Sequence, residues 1–245
     1  MNPSIIIMAG GLGKRMNSDL PKILHKVNNL PMIVRVINQS LLLNPNNIYI
    51  VVGKYKNIIQ ETINNYIIDT QKIKYILQEQ ALGTGHCIMC CIDELKKNEN
   101  EQILILSGDV PLITYNTLKE FINNNSIFSL MVQNKENPYG YGRIVLENNK
   151  FDKIVEEKDC NMEEKKINLV NSGIYYMNSR HIINNIDNLT NNNSQKEYYL
   201  TDLIKLIKDN ENIIPNIYII NKEREHEVMG INNKEELDYV NSNYK

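Results

Sequence analysis

The chain has 245 residues, with 27 Lys plus Arg against 29 Asp plus Glu and a formal net charge of -2. That balance excludes the strongly basic domain of a typical nucleic-acid binder. No window approaches the ~18 consecutive apolar residues of a membrane-spanning helix. The N-terminus has no basic leader and too short an apolar run for a signal peptide, so a cytoplasmic protein is expected, with no membrane or nucleic-acid partner.

Ser4 to Met8 is an Ile-rich run that predicts a short buried strand. Pro31 to Leu43 carries Ile33, Val34, Ile37 and Leu41 at helical spacing. Ile48 to Val52 is strand-like and stops at Gly53. Tyr55 to Tyr66 is helical, and Ile73 to Leu77 is again a strand. Thr84 to Lys97 predicts one helix, with Cys87, Cys90, Cys91 and Leu95 on one face. The Cys87-x-x-Cys90 spacing lacks a second Cys or His pair, so buried reduced thiols are expected. Ile103 to Leu106 is a continuous apolar strand, followed by helix from Leu118 to Asn123.

Beyond Ser126 the pattern shifts to closely spaced strands: Ile127 to Gln133, Gly142 to Glu147, Lys153 to Glu157 and Val170 to Met177. Asn148-Asn149 has the composition of a hairpin turn. Helices return at Tyr199 to Ile207 and Lys234 to Asn241, around a strand at Asn216 to Ile220. Strands alternating with helices imply an α/β fold whose central sheet is mostly parallel and covered on both faces. The second half is more mixed. One domain is expected, with a first half over residues 1–125 and a second over residues 126–245. The chain holds 39 Asn and 37 Ile but 2 Ala, a bias that matches A/T-rich coding.

The first strand runs into Gly10-Gly11-Leu12-Gly13-Lys14-Arg15-Met16. Glycines after a strand let backbone N–H groups approach an anion closely, and two cations follow at once. Neither a P-loop nor the G-x-G-x-x-G fingerprint is met. Asp19-Leu20-Pro21-Lys22 follows six residues on, near enough for Lys22 to reach the same anion.

The glycine loop with Arg15, and Asp19-Leu20-Pro21-Lys22, resembles the signature of the sugar nucleotidyltransferases. More narrowly, it resembles the uridyltransferase part of bacterial N-acetylglucosamine-1-phosphate uridyltransferases. Further blocks agree in order: Leu77 to His86, Ser107-Gly108-Asp109-Val110-Pro111-Leu112, Tyr139 to Ile144 and Ile154 to Asp159. Asn171-Ser172-Gly173-Ile174, the run from Asn191 to Asp202 and Gly230-Ile231-Asn232-Asn233 complete the set, from about Ile5 to about Asn233.

The resemblance implies a Rossmann-like nucleotidyltransferase fold, with the first half binding nucleotide and the mixed C-terminal half binding sugar. It implies that Ala9, Gly10, Gly11, Gln78, Gly83 and Thr84 hold the uridine part of UTP. Arg15 and Lys22 would be catalytic cations on the phosphates. Asp109 and Asn232 would bind Mg²⁺, and Gly142, Glu156 and Asn171 would bind the N-acetylglucosamine of the second substrate, N-acetylglucosamine-1-phosphate. Gln78 suits an imide edge because its amide offers both donor and acceptor. Tyr198 and Tyr199 are expected as core or wall, and His86 as a structural hydrogen bonder. No hexapeptide repeat appears, so no acetyltransferase β-helix domain and no trimer are implied. Ser107 stands where the family usually has Tyr. A pyrophosphorylase for another sugar phosphate or NTP, and a non-catalytic nucleotide-sugar sensor, stay open as alternatives.

Overall fold

The structure is a computed structural model that describes residues 2–11, 13–124 and 126–244. The Lys14 side chain, expected to add a cation to the glycine loop, lies outside the described part.

Strand β1 (Ser4–Ala9) leads through the glycine loop to a two-strand hairpin, β2 (Lys26–Val27) and β3 (Leu30–Pro31), and then α1 (Met32–Leu42). There follow β4 (Ile48–Val52), α2 (Lys56–Tyr66), β5 (Ile73–Leu77), α3 (Thr84–Met89), α4 (Ile92–Leu95) and β6 (Gln102–Ser107). After α5 (Tyr115–Ile122) come β7 (Phe128–Asn134), β8 (Arg143–Glu147), β9 (Lys150–Val155) and β10 (Leu169–Asn178). The described chain closes with α6 (Ser179–Asn185), α7 (Leu200–Glu211), β11 (Asn216–Ile219) and α8 (Lys234–Asn243).

One sheet runs in the order β11-β7-β10-β6-β1-β4-β5, with β8 and β9 branching from β10. The β6-β1-β4-β5 part is parallel. Strand β10 is antiparallel to both β6 and β7, and β11 is parallel to β7. Side chains alternate across a strand, and both faces here need apolar cover. Ile5 and Ile7 of β1 join one core with Ile33, Ile59 and Leu118 of α1, α2 and α5. Ile6 joins the opposite core with Cys87, Leu95, Ile182 and Leu203 of α3, α4, α6 and α7. This two-sided burial explains why β1 and β4 are unbroken apolar runs. A smaller core of Met16, Val27, Met32, Leu112, Ile231, Leu237 and Val240 ties α8 to the short hairpin.

Some expected elements differ. The helix expected from Leu118 starts at Tyr115, capped by Thr114, and the helix expected to stop at Ile207 runs to Glu211. The single helix over Thr84 to Lys97 is divided. The Cys91 N–H bonds to Ile88 O at 2.9 Å, a tightened turn, and α4 starts afresh at Ile92. Cys87 and Cys91 are nonetheless buried beside Leu95, and all four thiols are free. The hairpin strand expected over Lys153 to Glu157 starts earlier, at Lys150, and stops at Val155. Asn148 and Asn149 both take left-handed backbone, φ 49° and 60°, as a two-residue hairpin turn needs. Glu156 and Glu157 therefore lie just past the strand.

The order places a switch between β1 and β6. The chain leaves β1 toward β4 and β5, then returns to β6 on the other side. Ligand crevices of open α/β sheets form at the carboxyl ends of strands at such a point.

Candidate active site

At that switch point a cavity of 710 Å³ opens. Its lining includes Ala9, Gly10, Gly11, Arg15, Lys22, Gln78, Gly83, Thr84, Asp109 and Asn232. The residues that the resemblance assigns to nucleotide, phosphate and metal are thus in one place. Register explains the meeting of the first and sixth strands. Met8 pairs with Ser107 across β1 and β6, and the Gly108 N–H bonds to Met8 O at 2.9 Å. That delivers Asp109 to the foot of the glycine loop.

The charged centre is compact. The Lys22 ammonium pairs with the Asp109 carboxylate and donates to Asn232 Oδ1 at 3.1 Å. Arg15, more exposed, donates to the same Asn232 oxygen at 3.4 Å. The Ser107 hydroxyl donates to Asp109 Oδ1 at 2.7 Å. Asn232 is held from behind, since Ile231 N–H bonds to Asp109 O at 2.9 Å and Asn232 N–H to Glu236 Oε2 at 2.6 Å.

Another part of the wall is built around Gln78, which is 5% exposed. Its N–H bonds to Val52 O at 2.8 Å. Its side-chain nitrogen donates to Gly83 O and His86 Nδ1, each at 3.1 Å. Both amide hydrogens are used inside the protein, so Gln78 offers the pocket its acceptor oxygen rather than the donor and acceptor expected from sequence. A Cβ on Gly10 would lie 2.3 Å from that oxygen, so any larger residue there would push the Gln78 amide aside. Gly83 has φ 110°, and a Cβ would come within 2.5 Å of Tyr198 O. The segment 82–85 is stitched to residues 198–200: Tyr198 N–H bonds to Leu82 O, Gly85 N–H to Tyr198 O, and Leu200 N–H to Thr84 Oγ1. Thr84 thus also caps α7.

Gly142, Glu156 and Asn171 form a second group that is not part of this cavity's lining. Asn171 N–H bonds to Gly142 O at 2.9 Å. A Cβ on Gly142 would meet Ile154 Cγ2 at 3.0 Å, then Glu156 Oε2 at 3.5 Å and Asn171 Cβ at 3.6 Å. Thr201 donates to Glu156 Oε1 at 2.9 Å. Burial pushes the Glu156 carboxyl above its ordinary range, and Asp202, Asp159 and Glu197 add to this against the Thr201 bond. Asn171 Nδ2 donates to the hydroxyl of Tyr175 at 2.6 Å, and its Oδ1 accepts from Gly173 N–H at 3.1 Å. Arg143, 2% exposed, pairs with Glu157 Oε2 at 2.7 Å and also donates to Tyr141 O. Glu157 takes Gly140 N–H at 3.0 Å as well, which clamps the loop ahead of Gly142.

The cavity also contains residues that sequence reasoning did not assign: Ser107, Lys158, Gln195 and Glu197. Lys158 and Gln195 sat within recognised blocks. Their signal was visible, but nothing in it separated a lining side chain from its neighbours. Tyr199 is buried, accepts from Gln195 Nε2 at 2.9 Å and donates to Asp159 Oδ2 at 3.1 Å, so it is wall.

The chain matches the family described as Nucleotidyl transferase over residues 4–223. It is 44% identical over 243 residues to a mimivirus protein named "Probable UDP-N-acetylglucosamine pyrophosphorylase", covering 97% of this chain and 94% of that one. It is 38% identical over 237 residues to "Bifunctional protein GlmU" of Clostridium botulinum, strain Loch Maree, covering 95% of this chain. The chain spans about half the length, 50%, of that bifunctional relative. A solved UDP-glucose pyrophosphorylase in complex with UDP-glucose has the same fold, with a TM-score of 0.75 at 17% identity, over 100% of this chain and 98% of that one. With a matching family over most of its length and a near full-length relative, this chain belongs to the nucleotidyl transferase family and is a nucleotidyltransferase.

Proposed function

We propose that the chain transfers a uridylyl group from UTP to N-acetylglucosamine-1-phosphate, giving UDP-N-acetylglucosamine and pyrophosphate. The observation that carries this reading is the convergence of Arg15, Lys22, Asp109 and Asn232 in the lining of one cavity that also contains the Gln78 amide. The 44% identity to a relative of that name supports the same substrate pair.

A sugar-phosphate oxygen bonds to the α-phosphorus of UTP. The bond from that phosphorus to the oxygen bridging to the β-phosphate breaks, and pyrophosphate leaves. The nucleophile is already an anion, so no general base is required. The barrier lies in bringing two anions together and in the charge that builds on the leaving group, so positioning and charge neutralisation dominate. Arg15 and Lys22 supply positive charge on the phosphates. The backbone at Ala9, Gly10 and Gly11 lets the nucleotide approach, and Gln78, Gly83 and Thr84 hold the base. Gly142, Glu156 and Asn171 hold the acetamido sugar.

Asp109 and Asn232 fit Mg²⁺ as cofactor. Two hard oxygens already converge on one cation, the Lys22 ammonium, and a carboxylate with an amide oxygen leaves positions for water and phosphate. When bound, the ion supplies further positive charge to the triphosphate. Residues 1–125 and 126–245 act as nucleotide and sugar halves of one catalytic unit. Free thiols fit a reducing, cytoplasmic setting. The test is a reaction of purified protein with UTP, N-acetylglucosamine-1-phosphate and Mg²⁺. UDP-N-acetylglucosamine and pyrophosphate formed one to one support the proposal. Hydrolysis of UTP without sugar transfer would sink it.

A further inference from the structure

We infer that His86 is a positioning residue that sets base selectivity by fixing the Gln78 amide with its acceptor forward. This rests on the proposed use of UTP and on a geometric chain within the wall. A backbone carbonyl only accepts, so the atom of Gln78 facing Gly83 O at 3.1 Å is the amide nitrogen, Nε2. The same nitrogen lies 3.1 Å from His86 Nδ1. Its second hydrogen points there, so Nδ1 is unprotonated and accepts, and the imidazole proton sits on Nε2 of His86. Gln78 has no hydrogen left. Its oxygen lies against Gly10, and no donor reaches it among the described residues.

The consequence is chemical. The imide edge of uracil carries a donor, N3–H, that matches an acceptor. Cytosine presents a lone pair at that position, so acceptor meets acceptor. A site built to pair a donor discriminates by leaving the wrong edge unpaired. Were His86 unable to accept, only the Gly83 carbonyl would hold the amide nitrogen inward, and the flip that turns an N–H toward the cytosine lone pair would cost one contact fewer. The wall would then discriminate less between the two bases. The role is indirect, since His86 is not part of the cavity lining while Gln78 is.

The experiment is the ratio of kcat/KM for UTP over CTP, with N-acetylglucosamine-1-phosphate, in the wild type and three variants. His86→Leu keeps bulk without an acceptor, and His86→Ala removes both. His86→Asn places an amide oxygen where Nδ1 lies. The expected result is a ratio lowered about tenfold in His86→Leu and His86→Ala, the worth of roughly one hydrogen bond, and restored in His86→Asn. A merely structural role would lower turnover with both nucleotides together and leave the ratio unmoved. An unchanged ratio, with the wild type still preferring UTP, overturns the role of His86 alone. A wild type with no preference for UTP over CTP overturns the proposed function, and this inference with it. Nitrogen-15 resonances of His86 in the wild type address the same point without substitution. A proton on Nε2 supports the inference, and a proton on Nδ1 overturns it even where the variants do not fold.

Discussion

The Lys22 ammonium donates to Asn232 Oδ1 at 3.1 Å while it pairs with Asp109, residues far apart in the chain. Three elements supply the three groups: the turn after the glycine loop, the end of β6 and the loop before α8. The small core around Met16, Leu112 and Ile231 holds those segments together. The packing of α8 is therefore linked to the chemistry of the site, although no α8 residue is among those lining the cavity.

Asp109→Asn and Arg15→Ala each lower turnover by about two orders of magnitude or more, because the reaction depends on charge neutralisation. Lys22→Ala raises KM as well as lowering kcat, since its charge holds phosphate in the ground state and acts more strongly on the charge that builds in the transition state. Steady-state pyrophosphate release measures both. Near-wild-type turnover in folded Asp109→Asn contradicts the assignment.

Ser107 orients Asp109 through a 2.7 Å hydrogen bond. Ser107→Ala lowers Mg²⁺ affinity roughly tenfold, as loss of an outer partner of a metal carboxylate does. Titrating activity against Mg²⁺ concentration gives the shift. An unchanged titration midpoint means that the hydroxyl does not hold the carboxylate.

Burial raises the Glu156 carboxyl above its ordinary range, with neighbouring Asp202, Asp159 and Glu197 adding to the effect. A raised carboxyl stabilises the fold below the unfolded-state value and loses that contribution as pH rises through the folded-state value. Glu156→Gln cannot ionise and can keep the Thr201 bond. Its melting temperature should exceed the wild type's at about pH 8, and the gap should close toward about pH 4. A gap that widens on acidification reverses the sign and removes the account of this carboxyl.

Gly83→Ala combines a left-side φ of 110° with a Cβ 2.5 Å from Tyr198 O. The expected cost is roughly 3 kcal/mol, seen as a lower midpoint in chemical denaturation. Wild-type stability would mean that the 82–85 segment is free to move away from residues 198–200.

Much of the sheet was legible because two-sided burial writes itself as unbroken apolar runs. Ile48–Val52, buried throughout, has the bounds the sequence suggests; Ile73–Leu77 has them too, although this edge strand carries the exposed Lys74 and Leu77 and is not such a run. The two-residue strands around Asn28-Asn29 were not legible, since such short pairs carry no period. Helix α6 was hidden in an Asn-rich stretch, although Asn178 accepts from Arg180 N–H at 3.0 Å and caps it. The Asn bias has structural uses that composition does not reveal. Asn17, Asn28, Asn29, Asn44, Asn148, Asn149 and Asn212 all take left-handed backbone, which Asn tolerates better than most residues. In the site, the glycine loop, Lys22, Asp109 and Asn232 were legible from their blocks. The partner of each was not: that Ser107 serves Asp109, or that His86 and Gly83 use up the Gln78 amide, depends on side-chain direction rather than sequence spacing.

The central claim is tested most directly by pyrophosphate release across four NTPs and several sugar-1-phosphates, with Mg²⁺. The account predicts turnover concentrated on UTP with N-acetylglucosamine-1-phosphate. A clear preference for another NTP or another sugar phosphate, or binding of UTP with no turnover on any pair, would contradict it.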